Sequence, residues 1–145
     1  MQLYPAIDIK DGKCVRLYKG LFDQQTVFSD NPAEVAMKWE SLGGSYIHVV
    51  DLDGALDGKW VNRETIKSIV RSVKVPVQTG GGIRTLTDIK DRLDIGVSRV
   101  IIGTMAVKDP NFVKAAVEVY GSASIAVGID AKNGKVATHG WEKVS

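Results

Sequence analysis

Ile7-Asp-Ile-Lys-Asp-Gly-Lys13 and Ile129-Asp-Ala-Lys-Asn-Gly-Lys135 are two copies of one pattern, 122 positions apart and identical at five of seven residues. A short apolar run precedes each copy, so an aspartate, Asp8 or Asp130, stands where a buried strand passes into a polar turn. Two carboxylates at equivalent strand ends of a repeated unit can work as an acid–base pair. The repeat therefore points to an architecture and to a site.

Between the two copies, short apolar runs alternate with amphipathic ones. We predict strands at 2–7, 46–51, 75–79, 99–102 and 124–129, helices at 32–42, 62–72, 85–95 and 109–120, and a hairpin-like extension of the first strand at 13–18. Strands that are apolar on both faces belong in a parallel sheet covered by helices. The order is therefore βαβαβαβαβ, in a single domain formed by residues 1–145.

Two α/β architectures fit this order: an open doubly wound sheet and a (β/α)₈ barrel. A barrel takes roughly 200–250 residues, and a repeat offset of half a barrel implies about 245. We therefore expect an incomplete barrel, with one half-barrel at 1–122 and the start of a second at 123–145. In such a chain the first and fifth strands are expected to be open edges that favour pairing with another chain.

Composition narrows the class of protein. The chain has 145 residues, of which 44% are hydrophobic and 25% charged, as in ordinary globular domains. Its net charge of +2 argues against nucleic acid or a membrane surface as partner. The single Cys14 excludes an internal disulfide and fits a reducing compartment. Neither a membrane-spanning run nor a signal peptide is recognisable, so we expect a cytoplasmic protein.

Two glycine-containing loops follow neighbouring strands. Thr79-Gly-Gly-Gly-Ile-Arg-Thr85 opens the third helix, where backbone N–H groups and Arg84 suit an anion. Ile102-Gly-Thr104 ends the next strand and forms a second wall of the same cradle. A tight turn without a ligand remains the alternative for the first loop, but two adjacent loops of this kind favour a phosphate site. The glycine spacing is not that of a dinucleotide-binding fingerprint.

Other polar residues have open interpretations. Asp51 ends the second strand and either binds ligand hydroxyls or caps a turn, and Arg16 lies in a segment that is otherwise a solvated loop. His48 is either a core-facing imidazole or a ligand contact, and strict alternation separates it from Asp51. Trp141, in a polar loop, suits a flat base-like ligand. Metal-ligand spacing and a Ser/His or Cys/His nucleophile pattern are both lacking.

Several stretches of the chain together share one resemblance: Pro5–Gly20, Ile47–Ala55, Gly80–Arg84, Ile102–Thr104, Gly128–Asp130 and His139–Trp141. They resemble one family, the isomerase of histidine biosynthesis that acts on phosphoribosylformimino-AICAR ribotide (ProFAR). The resemblance implies a (β/α)₈ barrel made of two half-barrels, and an Amadori rearrangement of an aminoaldose to an aminoketose. It also implies a substrate with a phosphate at each end, no metal or organic cofactor, and a monomeric full-length protein.

The resemblance also implies a role for each matching residue. Asp8 would be the general base that takes the C2′ proton, and Asp130 the general acid that opens the ring. The substrate would be positioned by Arg16, His48, Asp51 and Arg84, with Trp141 stacked on the imidazole carboxamide. One phosphate would be held by Gly81, Gly82, Gly103 and Thr104.

The chain departs from this family in one respect. Family members continue through three more strands, which carry the second phosphate site, so we expect negligible isomerase activity from these 145 residues alone. Two alternatives stay open: a bifunctional isomerase that also accepts phosphoribosylanthranilate, and a non-catalytic phosphate-binding half-barrel that pairs with another chain. The sister cyclase of the pathway fits less well, because Pro5-Ala-Ile-Asp8 lacks its cysteine before the aspartate.

Overall fold

The structure is a computed structural model that describes residues 1–18, 21–138 and 143–144. Among these residues the strands are β1 Ala6–Lys10, β2 Lys13–Tyr18, β3 Leu21–Ser29, β4 Ile47–Asp51, β5 Val77–Gly80, β6 Arg99–Ile102, β7 Ile125–Val127, β8 Asp130–Lys132, β9 Lys135–Thr138 and β10 Lys143–Val144. The helices are α1 Pro32–Ser41, α2 Leu52–Asp57, α3 Arg63–Ser72, α4 Leu86–Asp94, α5 Thr104–Lys108 and α6 Pro110–Tyr120, followed by a 3₁₀ turn at Ser122–Ser124.

The main sheet has seven strands in the order β3-β2-β1-β4-β5-β6-β7. Strands β1, β4, β5, β6 and β7 are parallel and lie side by side in chain order. A doubly wound sheet needs a point where the strand order reverses, and these five strands have none. Between the two predicted architectures, the structure therefore has the strand order of a barrel.

The core lies between one face of this sheet and the helices. Alternate strand residues such as Ile7, Val49 and Val100 are fully buried there. They belong to the same apolar cluster as Ile66 and Ile89, which are contributed by α3 and α4. Because successive side chains of a strand point to opposite faces, the residues between them point away from the helices.

The opposite face of the sheet lines a cleft and carries polar as well as apolar side chains, so the prediction of strands that are apolar on both faces is wrong. The register places Ala6, His48, Gln78 and Arg99 in one row across β1, β4, β5 and β6. A second row, two residues further along each strand, contains Asp8, Val50, Gly80 and Ile101. The strand ends that carry the predicted site residues therefore open onto a single surface.

The helices α1 and α4 each begin directly after a capping residue. Asn31 caps α1 by accepting a hydrogen bond from the N–H of Glu34, with Pro32 at the first helical position. Thr85 and Asp88 form a reciprocal capping box at the start of α4. The predicted helices at 32–42 and 85–95 are thus confirmed, each ending one residue earlier than expected.

Both copies of the repeat form the same tight turn. Asp11-Gly12 joins β1 to β2, and Asn133-Gly134 joins β8 to β9, with positive φ at all four residues. A two-residue hairpin of this kind requires left-handed backbone at both positions, which Asp, Asn and Gly tolerate best. The similarity at 7–13 and 129–135 is therefore conformational as well as chemical. The half-barrel boundary at residue 122 stays a prediction.

The structure corrects one expectation about edges. Strand β1 was expected to be open, but β2 pairs with it antiparallel over Asp8–Lys10, and β3 pairs with β2. At the other end the sheet finishes at β7, which among the described residues pairs only with β6. Besides the five parallel strands and the four long helices, the structure contains β3, α2 and α5, which were not predicted. The two helices are too short to show periodicity, and β3 is mostly exposed.

Candidate active site

A cleft of about 1070 Å³ lies on the face of the sheet that points away from the helices. Its walls are the carboxyl ends of the parallel strands and the loops that follow them, where parallel α/β proteins hold their ligands. Eight of the residues predicted for the site line this one cleft: Asp8, His48, Gly81, Gly82, Arg84, Gly103, Thr104 and Asp130.

Asp8 lies in the middle of β1, between Val15 of β2 and Val50 of β4. The prediction of a strand at 2–7 that ends before Asp8 is wrong, because the buried Ile7 and Ile9 flank Asp8 within the strand Ala6–Lys10. Burial raises the pKa of its carboxyl group, and the neighbouring His48 partly offsets that rise. An ionised carboxylate with a raised pKa binds a proton more strongly than a free one does. Asp8, when ionised, is therefore a stronger proton acceptor than an exposed aspartate.

His48 shares the cleft face with Asp8 and is half-buried. Its ring nitrogen Nδ1 lies 2.8 Å from Nε2 of Gln78. Burial lowers the pKa of the imidazole, Asp8 works in the opposite direction, and Arg99 lowers it further. The alternative of a core-facing histidine is excluded, because the helix-facing positions of β4 are Ile47 and Val49.

The first glycine loop is shaped by the backbone beneath it. Gly81 and Gly82 have φ values of +112° and +75°. A Cβ atom on Gly81 would lie 2.1 Å from the carbonyl oxygen of Asp51, and one on Gly82 would lie 2.5 Å from that of Gly54. Both positions therefore require glycine for packing against the start of α2. Their role in phosphate binding stays a prediction.

Arg84 lies at the rim of the cleft beside Gly58, which ends α2. A Cβ atom on Gly58 would come within 2.5 Å of Nη1 of Arg84, so glycine leaves room for the guanidinium group. The backbone N–H of Arg84 donates to Asp88, which ties the loop to the first turn of α4.

Arg92 is a residue of this site that sequence reasoning missed. Its side chain is buried under the loop, where Nη2 donates to the carbonyl oxygen of Gly81 at 3.4 Å and Nη1 to that of Asp88 at 3.2 Å. The guanidinium carbon lies 4.3 Å from the ring centre of Trp60. Its spacing of three from the buried Ile89 on α4 was the available signal.

Replacing Arg92 by methionine is expected to lower the free energy of unfolding by about 2–3 kcal/mol, because buried acceptors and the carboxylate of Asp51 lose a cation. Urea unfolding measures the change. Arg71→Met, on an exposed position in the last turn of α3, is the matched control and should differ little from the parent. Equal effects of the two substitutions would refute a supporting role for Arg92.

Asp51 is not brought to the cleft. The residue is 1% exposed, and its Oδ1 accepts hydrogen bonds from the N–H of Gly54 at 3.0 Å and from Nδ2 of Asn62 at 2.8 Å. Burial raises the pKa of the carboxyl group, and these two hydrogen bonds oppose the rise. Of the two interpretations left open by the sequence, Asp51 adopts the capping one, at the start of α2.

Asn62 is a second residue that the sequence did not reveal. Besides Asp51 it donates to Oδ2 of Asp53, and its Oδ1 accepts from the N–H of Gly12 at 2.9 Å. Asp53 in turn accepts from the N–H of Asp11. These hydrogen bonds therefore hold the turn between β1 and β2 against α2. They fix the turn of the hairpin that carries Arg16.

The remaining predicted residues are placed differently. Arg16 is exposed on β2, with its guanidinium carbon 5.3 Å from the ring centre of Phe28, and it does not line the cleft. Asp130 lines the cleft but is exposed at the start of β8. Trp141 lies outside the described residues.

In residues 1–18, 21–138 and 143–144, His, Cys, Asp and Glu side chains form no group of three or more that could hold a metal ion. The helices of the described chain are all too short or too polar to cross a membrane.

Comparison with known proteins gives one consistent result. The profile of a family described as histidine biosynthesis protein matches residues 2–145. A protein of Lachnoclostridium phytofermentans is 60% identical over all 145 residues, and one of Ruminiclostridium cellulolyticum is 57% identical. Both are named 1-(5-phosphoribosyl)-5-((5-phosphoribosylamino)methylideneamino)imidazole-4-carboxamide isomerase. The match covers the whole of this chain and 61% of each relative.

Proposed function

Because the chain belongs to the histidine biosynthesis protein family, a family of TIM barrels, we propose that it supplies the N-terminal part of an isomerase active site. The reaction is the conversion of ProFAR to its ribulosyl form. It is an aldose–ketose isomerisation, formally an intramolecular oxidation and reduction, in a cytoplasmic enzyme of amino-acid biosynthesis. The proposal covers the whole protein, of which this chain spans about three fifths of the length of its relatives.

One observation carries the proposal: the cleft brings the aspartates of both repeat copies to the same surface as the two glycine loops. Asp8 is half-buried, with a raised pKa, whereas Asp130 is exposed. Two carboxyl groups that face the same cleft can supply the base and the acid that the reaction needs.

The chemistry assigns one proton transfer to each carboxyl group. Asp130 gives its proton to the ring oxygen while the bond between C1′ and that oxygen breaks. The lone pair of the nitrogen bonded to C1′ forms a C=N double bond, which gives a protonated imine. Asp8 then takes the proton from C2′, and the electrons of that bond move toward the imine. The resulting enol becomes the ketone when the proton held by Asp8 passes to C1′ and the enol O–H proton passes to the carboxylate of Asp130, so that both carboxyl groups regain their starting states. Because Asp8 must be ionised, we expect turnover to fall as pH falls through its raised pKa.

The glycine loops and Arg84 are proposed to hold one phosphate of the substrate. A cation at the rim and a loop at the start of α4 suit a phosphate group. Arg92, buried behind Gly81, adds positive charge on the far side of the same loop. His48 is proposed to contact the ribose between this phosphate and Asp8.

The test is a protein that contains the whole barrel. This chain, fused after residue 145 to the remaining C-terminal part of the Lachnoclostridium relative, is expected to convert ProFAR at a rate comparable to the relative itself. Phosphoribosylanthranilate, assayed in parallel, separates a single-substrate isomerase from a bifunctional one. A folded fusion that binds a bisphosphate without turnover would overturn the proposal and favour a non-catalytic phosphate-binding protein.

A further inference from the structure

Three polar side chains form a row on the floor of the cleft. His48, Gln78 and Arg99 are register neighbours on β4, β5 and β6. Nδ1 of His48 is 2.8 Å from Nε2 of Gln78, and Oε1 of Gln78 accepts from Nε and Nη2 of Arg99 at 2.9 and 2.6 Å. Of these three residues, only His48 was singled out from the sequence.

The hydrogen bonds of this row run in one direction only, starting from the donors of Arg99. A guanidinium group has donors only, so the oxygen of the Gln78 amide must face Arg99 and its NH₂ group must face His48. The guanidinium group itself lies against Tyr46 and Tyr4, with its central carbon 4.9 and 5.9 Å from their ring centres. Turning the amide over would place its NH₂ against the donors of Arg99.

This direction determines the protonation of the imidazole. Since the NH₂ group of Gln78 is a donor, Nδ1 of His48 must accept, and a neutral ring then carries its proton on Nε2. We propose that Gln78 and Arg99 are positioning residues that hold His48 as the neutral Nε2–H tautomer, so that the ring offers a hydrogen-bond donor, and not a base, to a ligand in the cleft. This proposal concerns the free protein and does not depend on the isomerase reaction.

The surroundings of His48 support this assignment. Protonation of Nδ1 would set an N–H group against the NH₂ group of Gln78, and burial of the ring also lowers its pKa. The charged groups that act on it are Asp8 from β1, which favours the imidazolium ion, and Arg99 from β6, which opposes it. Asp8 is thereby left as the proton acceptor of this pair.

The decisive variant is Gln78→Glu. It keeps the length of the side chain and the bonds to Arg99 but replaces the donor facing Nδ1 by a carboxylate oxygen. We expect His48 then to carry a proton on Nδ1, either as the other tautomer or as the imidazolium ion, with about tenfold higher proton affinity. Gln24→Glu, on an exposed position of β3, adds the same charge elsewhere and is the matched control.

The measurement is ¹⁵N NMR of the imidazole nitrogens. The chain has two histidines, so a His139→Gln background leaves His48 as the only signal. Because a free histidine already prefers the Nε2–H form, the parent spectrum is necessary but the glutamate variant is decisive. We expect an unprotonated Nδ1 in the parent and in Gln24→Glu, and a protonated Nδ1 in Gln78→Glu.

Two results would overturn the proposal: a parent that averages both tautomers or protonates Nδ1, and a Gln78→Glu variant with the parent spectrum. If the glutamate variant does not fold, Gln78→Met takes its place, since it removes the donor at similar volume. We then expect a detectable Nδ1–H population at neutral pH. A methionine variant with the same single tautomer as the parent would contradict the role of Gln78.

Discussion

Replacing Asp8 by asparagine in the fusion that contains the whole barrel is expected to lower kcat by about 10²–10⁴-fold, with a much smaller change in KM. Asparagine keeps the shape of the side chain but cannot accept the C2′ proton. The comparison is with Asp23→Asn, an exposed aspartate of β3 outside the cleft, which should leave kcat unchanged. Steady-state kinetics with ProFAR gives both constants. An Asp8→Asn variant within fivefold of the parent would remove Asp8 from the role of base.

The same substitution should not destabilise the fold, and this separates catalysis from folding. Burial raises the pKa of Asp8 in the folded protein above its unfolded value near 3.8. The folded state therefore binds the proton more tightly, and stability is lost as pH rises from the unfolded pKa through the folded one. At neutral pH the neutral asparagine avoids this loss, so the unfolding temperature of Asp8→Asn should equal or exceed that of the parent. Below the unfolded pKa this electrostatic advantage should vanish.

The 145-residue chain by itself is expected to turn over ProFAR at least about 10⁴-fold more slowly than the fusion. In the described residues the cleft has no strand beyond β7, and β8, β9 and β10 form a small sheet of their own. Among the described residues, Asp130 is therefore carried by a hairpin that does not pair with any strand of the main sheet. Acid–base catalysis needs both carboxyl groups held in register with the substrate, and misplacement of about 1 Å is enough to lose roughly 100-fold.

Single-turnover assays of the chain and the fusion, at equal concentration, check this expectation. Sedimentation velocity on the same samples shows whether the chain associates through β7 and the residues that follow it, where Val127 and Ile129 are 43% and 71% exposed. We expect a monomeric fusion and a chain that self-associates. A rate for the chain within tenfold of the fusion would mean that these residues already form a competent site.

The part of the fold that sequence could predict is the part set by local pattern. The strands β4 and β6 and the starts of α1 and α4 each follow from a pattern of a few residues. Asp8 was predicted at a strand end, whereas it lies within β1, where alternation with the buried Ile7 and Ile9 turns it to the cleft face. The matched turns at Asp11 and Asn133 show that the short repeat carries conformational information as well.

What sequence could not predict depends on contacts between distant segments. Asn62 and Gly12 are 50 positions apart, and Gln78 and Arg99 are 21 apart. From the sequence alone, Arg92 is expected to be exposed. Its burial follows only from the position of the glycine loop above it. Asp51 was assigned to the cleft because it ends a strand, but the backbone turns directly into α2 there and buries the carboxylate as a cap.

The close packing of the glycine loop on the start of α2 affects what the presence of these glycines indicates about function in other chains. The clashes that exclude a side chain at Gly81 and Gly82 are with the carbonyl oxygens of Asp51 and Gly54, which belong to the protein itself. A related chain that lacked Asp8 and Asp130 would therefore still need both glycines in order to fold. The motif is thus a reliable sign of ancestry and architecture, whereas evidence for a working enzyme has to come from Asp8 and its surroundings.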